Sequence, residues 1–295
     1  MLTGISGRTK VCGIYGCPVE HSFSPVMHNA AFNALELDFV YVPFLVEPAC
    51  LPAAVAAVRA LGLAGVNVTI PHKQAVLPLL DEVTEEARLI GAVNTIVNKA
   101  GRLLGDNTDG RGFLRALLEQ AGFNPAGKTA LILGAGGAAR AVAVQLVLAG
   151  ARKVFLANRS RERAEALAGL LVENAGPAAA EVVAWPGSGK KPDPPETPPA
   201  DLVVQTTPVG MYPDEGSSIS LPFSSFSPGQ VVCDLVYNPA ETLFMKRAVQ
   251  AGAVALNGLG MLLYQGVLSF EMWTGKAAPV EVMRESLLKC LQWRI

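Results

Sequence analysis

The residues able to do chemistry fall into two groups. The more explicit is a glycine turn, LILGAGGAARAV, in which Gly134, Gly136 and Ala139 stand between an apolar strand and a helical pattern. This is G-x-G-x-x-A, a permitted form of the dinucleotide fingerprint. Gly134 allows the tight turn, Gly136 lets the backbone approach a pyrophosphate, and Ala139 keeps the helix close to the sheet. The helix N-terminus supplies free N–H donors and partial positive charge for phosphates. A glycine turn can also merely join strand to helix, but the strand before and helix after favour the nucleotide. The next strand ends in ANRSRERAE. An NAD site usually places an acid there, about 20 residues on, to hold the ribose 2′-OH. Asn158, Arg159 and Ser160 occupy that place, and Arg161 and Arg163 follow. Arginines pair with a 2′-phosphate and an acid would repel it, so the expected cofactor is NADP. The plainer alternative is a solvated helix start, with Arg159 and Arg163 in i,i+4 surface contacts.

The second group is polar and lies in the first third of the chain: Ser22 and Ser24 in EHSFSPVMHN, Asn67, Thr69 and Lys73 in NVTIPHK, Asn94 in GAVNT and Asp109 in GDNTDG. In an open α/β sheet, ligands bind outside the carboxyl ends of the strands, and these stretches follow strands or lie in connections after them. Most have a structural explanation as well. Ser24 can cap a helix, Asn94 can hold a turn, and Asp109 can cap the helix that starts at Gly110. Lys73 is the exception. The strand AGVNVTI stops before Pro71, which reads as the opening of a helix, and a cation in a first helical turn opposes the dipole. That placement requires a nearby anion. Asn67 and Thr69, two apart, share one face of the strand.

These residues need elements to hold them. VCGIYG (11–16), FVYVPFLV and AGVNVTI read as strands, alternating with helices from Ser24, with Pro25 at N1, and over CLPAAVAAVRALG, closed by Gly62. AVNTIVN and RLLGDNTDG read as a hairpin or two short strands. A second alternating series begins near Asp109, with strands at KTALILGAG, RKVFLANR, EVVAW, LVVQTT and VVCDLVY. Two helical patterns, MLLYQGVLSFEMWTG and PVEVMRESLLKCLQW, close the chain. Such alternation predicts βαβ units and parallel sheets. The 295 residues suffice for two domains, with 51% hydrophobic and 17% charged residues. The net charge of -1 provides no basic field for nucleic acid or an anionic membrane. TALILGAGGAARAVAVQLVLAGA carries Arg140 and a glycine cluster and is not read as a membrane span. Nothing at the N-terminus reads as a signal peptide. Five cysteines with no metal spacing predict reduced thiols in a cytoplasmic protein and no metal site. A Pro- and Gly-rich stretch at 186–199 reads as a surface loop.

The sequence resembles shikimate dehydrogenases over nearly its whole length, through HSFSPVMHN, NVTIPHK, GAVNT, GDNTDG, LGAGGAAR, NRS, DLVYNP and YQG in the family order. The resemblance implies a substrate-binding α/β domain with a mostly parallel sheet (1–109, completed by helices in 266–295) and a Rossmann NADP-binding domain (110–265). It implies NADPH-dependent reduction of 3-dehydroshikimate to shikimate, on the route to chorismate and the aromatic amino acids. Ser22 and Ser24 would hold the substrate carboxylate, assisted by Tyr237. Asn67, Thr69, Lys73, Asn94, Asp109 and Gln265 would surround the ring hydroxyls, with Lys73 and Asp109 as the catalytic pair. Gly134, Ala135, Gly136, Gly137, Ala138, Asn158, Arg159 and Arg163 would hold the cofactor, with Leu235, Gly258 and Met261 near its nicotinamide and Glu85 as a lesser contact. A homodimer is compatible with this reading. The chain departs from the family at QTTPVGM, where Gln205 replaces Asn. Rival readings are a quinate/shikimate dehydrogenase with broader substrate or NAD use, a non-catalytic nucleotide-binding regulator, and methylene-tetrahydrofolate dehydrogenase. The NRSRER stretch weighs against NAD preference, the intact Lys73 and Asp109 against a regulator, and the serine and NVTIPHK motifs against the methylene-tetrahydrofolate enzyme, while quinate acceptance stays open.

Overall fold

The computed structural model describes residues 4–186, 198–222 and 225–292. The loop expected at 186–199 lies almost wholly outside the described residues. The chain forms two compact units, one of Gly110–Leu262 and one of the residues up to Asp109 together with those from Leu263 onward.

The first unit is built on β1 (Lys10–Gly16), α1 (Ser24–Ala34), β2 (Phe39–Leu45), α2 (Leu51–Ala60), β3 (Gly65–Val68), β4 (Glu82–Val83), α3 (Glu85–Ile90), β5 (Thr95–Lys99) and β6 (Arg102–Asp106). The strand order is β2-β1-β3-β5-β6-β4. Strands β1, β2 and β3 run parallel, and β5 runs antiparallel to both β3 and β6. The sheet is therefore mixed, because β5 and β6 form the expected hairpin, turning at Ala100 and Gly101, both with positive φ. All four residues of β3 are buried, and Val66, Val68, Ile96 and Leu103 pack with Val55 and Val58 of α2 in one apolar core.

The second unit holds most of α4 (Asp109–Ala121), then β7 (Thr129–Leu133), α5 (Gly137–Leu148), β8 (Lys153–Ala157), α6 (Arg161–Ala175), β9 (Ala180–Val182), β10 (Leu202–Gln205), β11 (Val231–Asp234), α7 (Leu243–Gln250), β12 (Val254–Asn257) and the start of α8 (Leu259–Thr274). Its strands run in the order β9-β8-β7-β10-β11-β12, all parallel. That is the doubly wound Rossmann order, and the direction of winding reverses between β7 and β10. Every residue of β7, β10 and β11 is buried, as strands covered on both faces require. The last helix, α9 (Val280–Gln292), belongs to the first unit and packs on α1.

Two local expectations fail. No α-helix opens at Pro71. The chain makes turns through residue 76 and then a single 3₁₀ turn at Leu77–Leu79. The Lys73 carbonyl takes a tertiary partner, Val93 N–H (2.8 Å), and the His72 side chain is anchored to the Val46 carbonyl (2.7 Å). Helix α1 begins at Ser24, with Phe23 at the cap position and no side-chain cap bond. Ser24 is thus the first helical residue, not the cap.

Candidate active site

The polar residues of the first unit gather at one edge of its sheet. Ser22 and Ser24 follow β1, Thr69 and Lys73 follow β3, and Thr108 and Asp109 follow β6. Asn94 precedes β5, but that strand is antiparallel, so its start lies at the same edge, with Thr95 paired to both Asn67 and Asp106.

Lys73 Nζ donates to Asp109 Oδ2 at 2.5 Å. The anion that Lys73 required is present, although the helix dipole that motivated the requirement is not. Asp109 is buried and is the first residue of α4 rather than the residue before it, and its N–H donates to the Asn107 side chain (3.0 Å). The carboxylate is left to other partners. Asn94 Nδ2 donates to Asp109 Oδ1 at 2.9 Å and lies 3.5 Å from Gln265 Oε1. Gln265 comes from α8, in the portion that belongs to the first unit. Asn67 is engaged at both ends: Oδ1 accepts from Tyr41 Oη (2.7 Å), and Nδ2 reaches the Asn94 carbonyl, Thr95 Oγ1 and Ser269 Oγ, each at 3.1 Å. Ser22 Oγ accepts from the Ser24 N–H (3.3 Å), and Thr69 is half-buried just past β3. Glu85 is exposed in the first turn of α3, where an acid suits the helix dipole.

In the second unit the glycine turn leaves β7 at the reversal of strand order. Gly134 has φ +122°, which a side chain resists, and a Cβ there would collide with Thr206 Oγ1. Gly136 caps α5 and Gly137 begins it, and a Cβ on either would meet open space. Ala135 and Ala138 are half-buried, whereas Ala139 is fully buried against the sheet. These features fit a pyrophosphate at the helix N-terminus. At the end of β8, Asn158 Nδ2 bonds the Ser160 carbonyl (2.8 Å). Arg161 pairs with Glu165 at i,i+4, while Arg159 and Arg163 are exposed and take no ion-pair partner among the described residues. The surface pair of the plainer alternative therefore involves Arg161 and leaves the other two arginines available to a phosphate.

Beyond β11 stand Leu235 and Tyr237, both half-buried. Asp234, fully buried, organises this segment. It accepts from Thr242 Oγ1 (2.6 Å), Val236 N–H (3.0 Å) and Gln205 Nε2 (3.1 Å). Gln205, the departure from the family pattern, also donates to the Val209 carbonyl (3.0 Å) and accepts from the Thr207 N–H. Its longer side chain thus holds the turn and the neighbouring strand exit together. Burial pushes the Asp234 carboxyl up from 3.8 to about 6, against the lowering effect of the Thr242 and Val236 bonds. A carboxyl raised on folding contributes stability in its protonated form, present below about 4 and lost as pH rises through 6. Between pH 4 and 7 the wild type is therefore expected to lose stability relative to Asp234→Asn, on the order of 3 kcal/mol for two pKa units. Denaturant unfolding at several pH values measures this, and a constant difference between the two proteins would refute it.

Gly258, at the entry to α8, faces the Leu235 carbonyl so closely that a Cβ would overlap it. Gly258→Ala is expected to cost about 1–3 kcal/mol of stability through overpacking against backbone. An unfolding midpoint equal to wild type would contradict that. Met261, in the first turn of α8, is half-buried.

Among the described residues no group of three His, Cys, Asp or Glu side chains is placed to hold a metal, and no helix is long and apolar enough to cross a membrane. Cys12, Cys17, Cys50 and Cys233 are free thiols. Tyr41, Thr95, Thr108, Ser269 and Asp234 carry no pattern of their own in the sequence that marks them as part of a site. Thr95 and Thr108 sit inside GAVNT and GDNTDG beside residues that were singled out, and that adjacency was the available signal.

A doubly wound nucleotide-binding unit and a second unit carrying a Lys–Asp pair at a sheet edge define a dehydrogenase-type α/β protein. The comparisons with known proteins narrow this. Residues 14–96 match the shikimate dehydrogenase substrate binding domain, 117–179 the shikimate / quinate 5-dehydrogenase family and 258–288 the shikimate 5'-dehydrogenase C-terminal domain. The chain is 54% identical to a shikimate dehydrogenase (NADP(+)) of Desulforamulus reducens, covering 97% of both chains, and 49% identical to that of Methanopyrus kandleri, covering 98% of both. Among solved structures it is similar to a shikimate dehydrogenase in complex with NADP+ (TM-score 0.88, 41% identity, 98% of both chains). It is also similar to shikimate 5-dehydrogenase from Listeria monocytogenes in complex with shikimate and NAD (TM-score 0.89, 37% identity, 96% of this chain and 98% of that one). The chain belongs to the shikimate dehydrogenase family.

Proposed function

We propose that this chain catalyses the reversible, NADP-dependent reduction of 3-dehydroshikimate to shikimate, a step toward chorismate and the aromatic amino acids. The observation that carries the reading is the 2.5 Å contact between Lys73 and Asp109 at the sheet edge. An ammonium held there can donate a proton to a developing alkoxide and stabilise its charge, and in oxidation the same nitrogen takes the proton back. Asp109 holds Lys73 in position, and Asn94 and Gln265 present amides beside it. Ser22 and Ser24 are assigned to the substrate carboxylate with Tyr237, and Thr69 to a ring hydroxyl. Asn67, engaged at both ends, acts by orienting its neighbours.

The bound dinucleotide supplies the hydride. Gly134, Ala135, Gly136, Gly137 and Ala138 would hold its pyrophosphate, Asn158, Arg159 and Arg163 its 2′-phosphate ribose, and Leu235, Gly258 and Met261 its nicotinamide. Relatives named for NADP support the choice of cofactor. The proposed location is the cytoplasm, where free thiols stay reduced. A test is the absorbance at 340 nm with shikimate or quinate, each with NADP+ or NAD+. The largest rate is expected for shikimate with NADP+. A folded protein giving no change in any of the four mixtures would overturn the reading.

A further inference from the structure

We propose that Thr95 and Thr108 are positioning residues that lock the Asn94 carboxamide in the one orientation serving Asp109. The inference rests on the catalytic reading of Lys73 and Asp109 and adds to it.

Asn94 is an amide that could sit either way round, and its neighbours decide. Its Oδ1 is approached by Thr108 N–H at 2.8 Å and Thr95 Oγ1 at 2.9 Å. The Thr108 N–H can only donate. Thr95 Oγ1 in turn accepts from Asn67 Nδ2 (3.1 Å), which can only donate, and its single proton faces Asn94 when Ser269 Oγ donates to Thr95 rather than to the Gln265 carbonyl (3.0 Å). With Oδ1 committed, the two Nδ2 protons point to Thr108 Oγ1 and Asp109 Oδ1, both at 2.9 Å. Ser269 Oγ closes the cluster, 2.8 Å from Thr95 Oγ1. Thr95, Thr108 and Ser269 are wholly buried, so no water can substitute for a lost hydroxyl without entering the core.

Turning the amide over would place Oδ1 against the Asp109 carboxylate and set Nδ2 against the Thr108 N–H. Both contacts repel. In the locked orientation Asp109 Oδ1 receives a neutral N–H and Oδ2 is left for Lys73. The hydroxyl of Thr95 thus acts two bonds away from the reacting groups, through Asn94 and then Asp109.

The test compares Thr95→Val, which keeps the shape and loses the hydroxyl, with Thr95→Ser, which keeps the hydroxyl. Thr108→Val and Thr108→Ser form a second pair, used in the same way if Thr95→Val does not fold. Each Val variant is expected to lose about tenfold in kcat/KM for shikimate, the value of one buried hydrogen bond, with KM for NADP+ within about twofold of wild type. Each Ser variant is expected within about threefold of wild type in kcat/KM, a smaller loss than one hydrogen bond. A folded Val variant with wild-type kcat/KM, or a Ser variant as impaired as its Val counterpart, would overturn the proposal. Lys73→Ala in the same assay separates the catalytic role from the positioning role. If it retains wild-type turnover, the catalytic reading itself fails. If it is inactive while the Val variants are normal, only the positioning role fails.

Discussion

Lys73→Ala is expected to lower turnover of shikimate with NADP+ by about 100-fold or more, the range for a general acid–base group. Two effects act in the same direction. The transferred proton loses its carrier, and the buried Asp109 carboxylate keeps Asn94 as a donor but loses its charged partner. An uncompensated buried charge disfavours any anionic transition state beside it. Lys73→Arg separates these effects. It restores the positive charge, but guanidinium does not give up its proton in proteins. We expect Lys73→Arg to remain severely impaired, with kcat closer to that of Lys73→Ala than to wild type. Steady-state kinetics of the two variants decide: near-wild-type turnover for Lys73→Ala removes the catalytic role, and full recovery in Lys73→Arg reduces that role to electrostatics.

Arg159→Ala is expected to change the choice of cofactor. Arg159 is exposed at the end of β8, without an ion-pair partner among the described residues, in the position where an NAD site carries an acid. A charged hydrogen bond to a phosphate contributes about 1.5–3 kcal/mol, so KM for NADPH should rise about 10- to 150-fold. NADH lacks the 2′-phosphate, and its KM should stay within about twofold, since the variant removes only a contact made to that phosphate. Parallel titrations of the two cofactors measure the ratio. An equal rise for both would show that Arg159 does not read the 2′-phosphate. Arg163, one turn along α6, offers a second cation, and its removal should add to the loss for NADPH alone.

Much of this arrangement was legible in the sequence because it depends on local patterns. The apolar runs of β7, β10 and β11 read as strands because both faces are covered. Gly134 read as a turn residue, and its φ of +122° is the conformation for which glycine is suited. The hairpin of β5 and β6 was visible from its two strand patterns. What escaped was set by distant contacts. Pro71 carried a helix-start signal, but the backbone beyond it bonds to Val93 and the His72 ring reaches Val46, so the segment stays a loop. The helix whose dipole would have called for an anion near Lys73 does not form. The anion is there because the β5–β6 hairpin brings Asp109 back to the same edge. Strand β4, at two residues, and α3, at six, are too short to show a period. Thr95 and Thr108 look ordinary in sequence, because their meaning lies in which amide each faces, and that is decided by packing between β3, β5 and α8.

The most direct measurement follows the hydrogen itself. Shikimate deuterated at the C3 carbinol carbon is incubated with the purified protein and NADP+, and the reduced cofactor is analysed by mass spectrometry. The account predicts NADPH carrying the deuterium from wild-type protein and almost none formed by Lys73→Ala. Reduced cofactor without the label, or no reduced cofactor from folded wild-type protein, would contradict it.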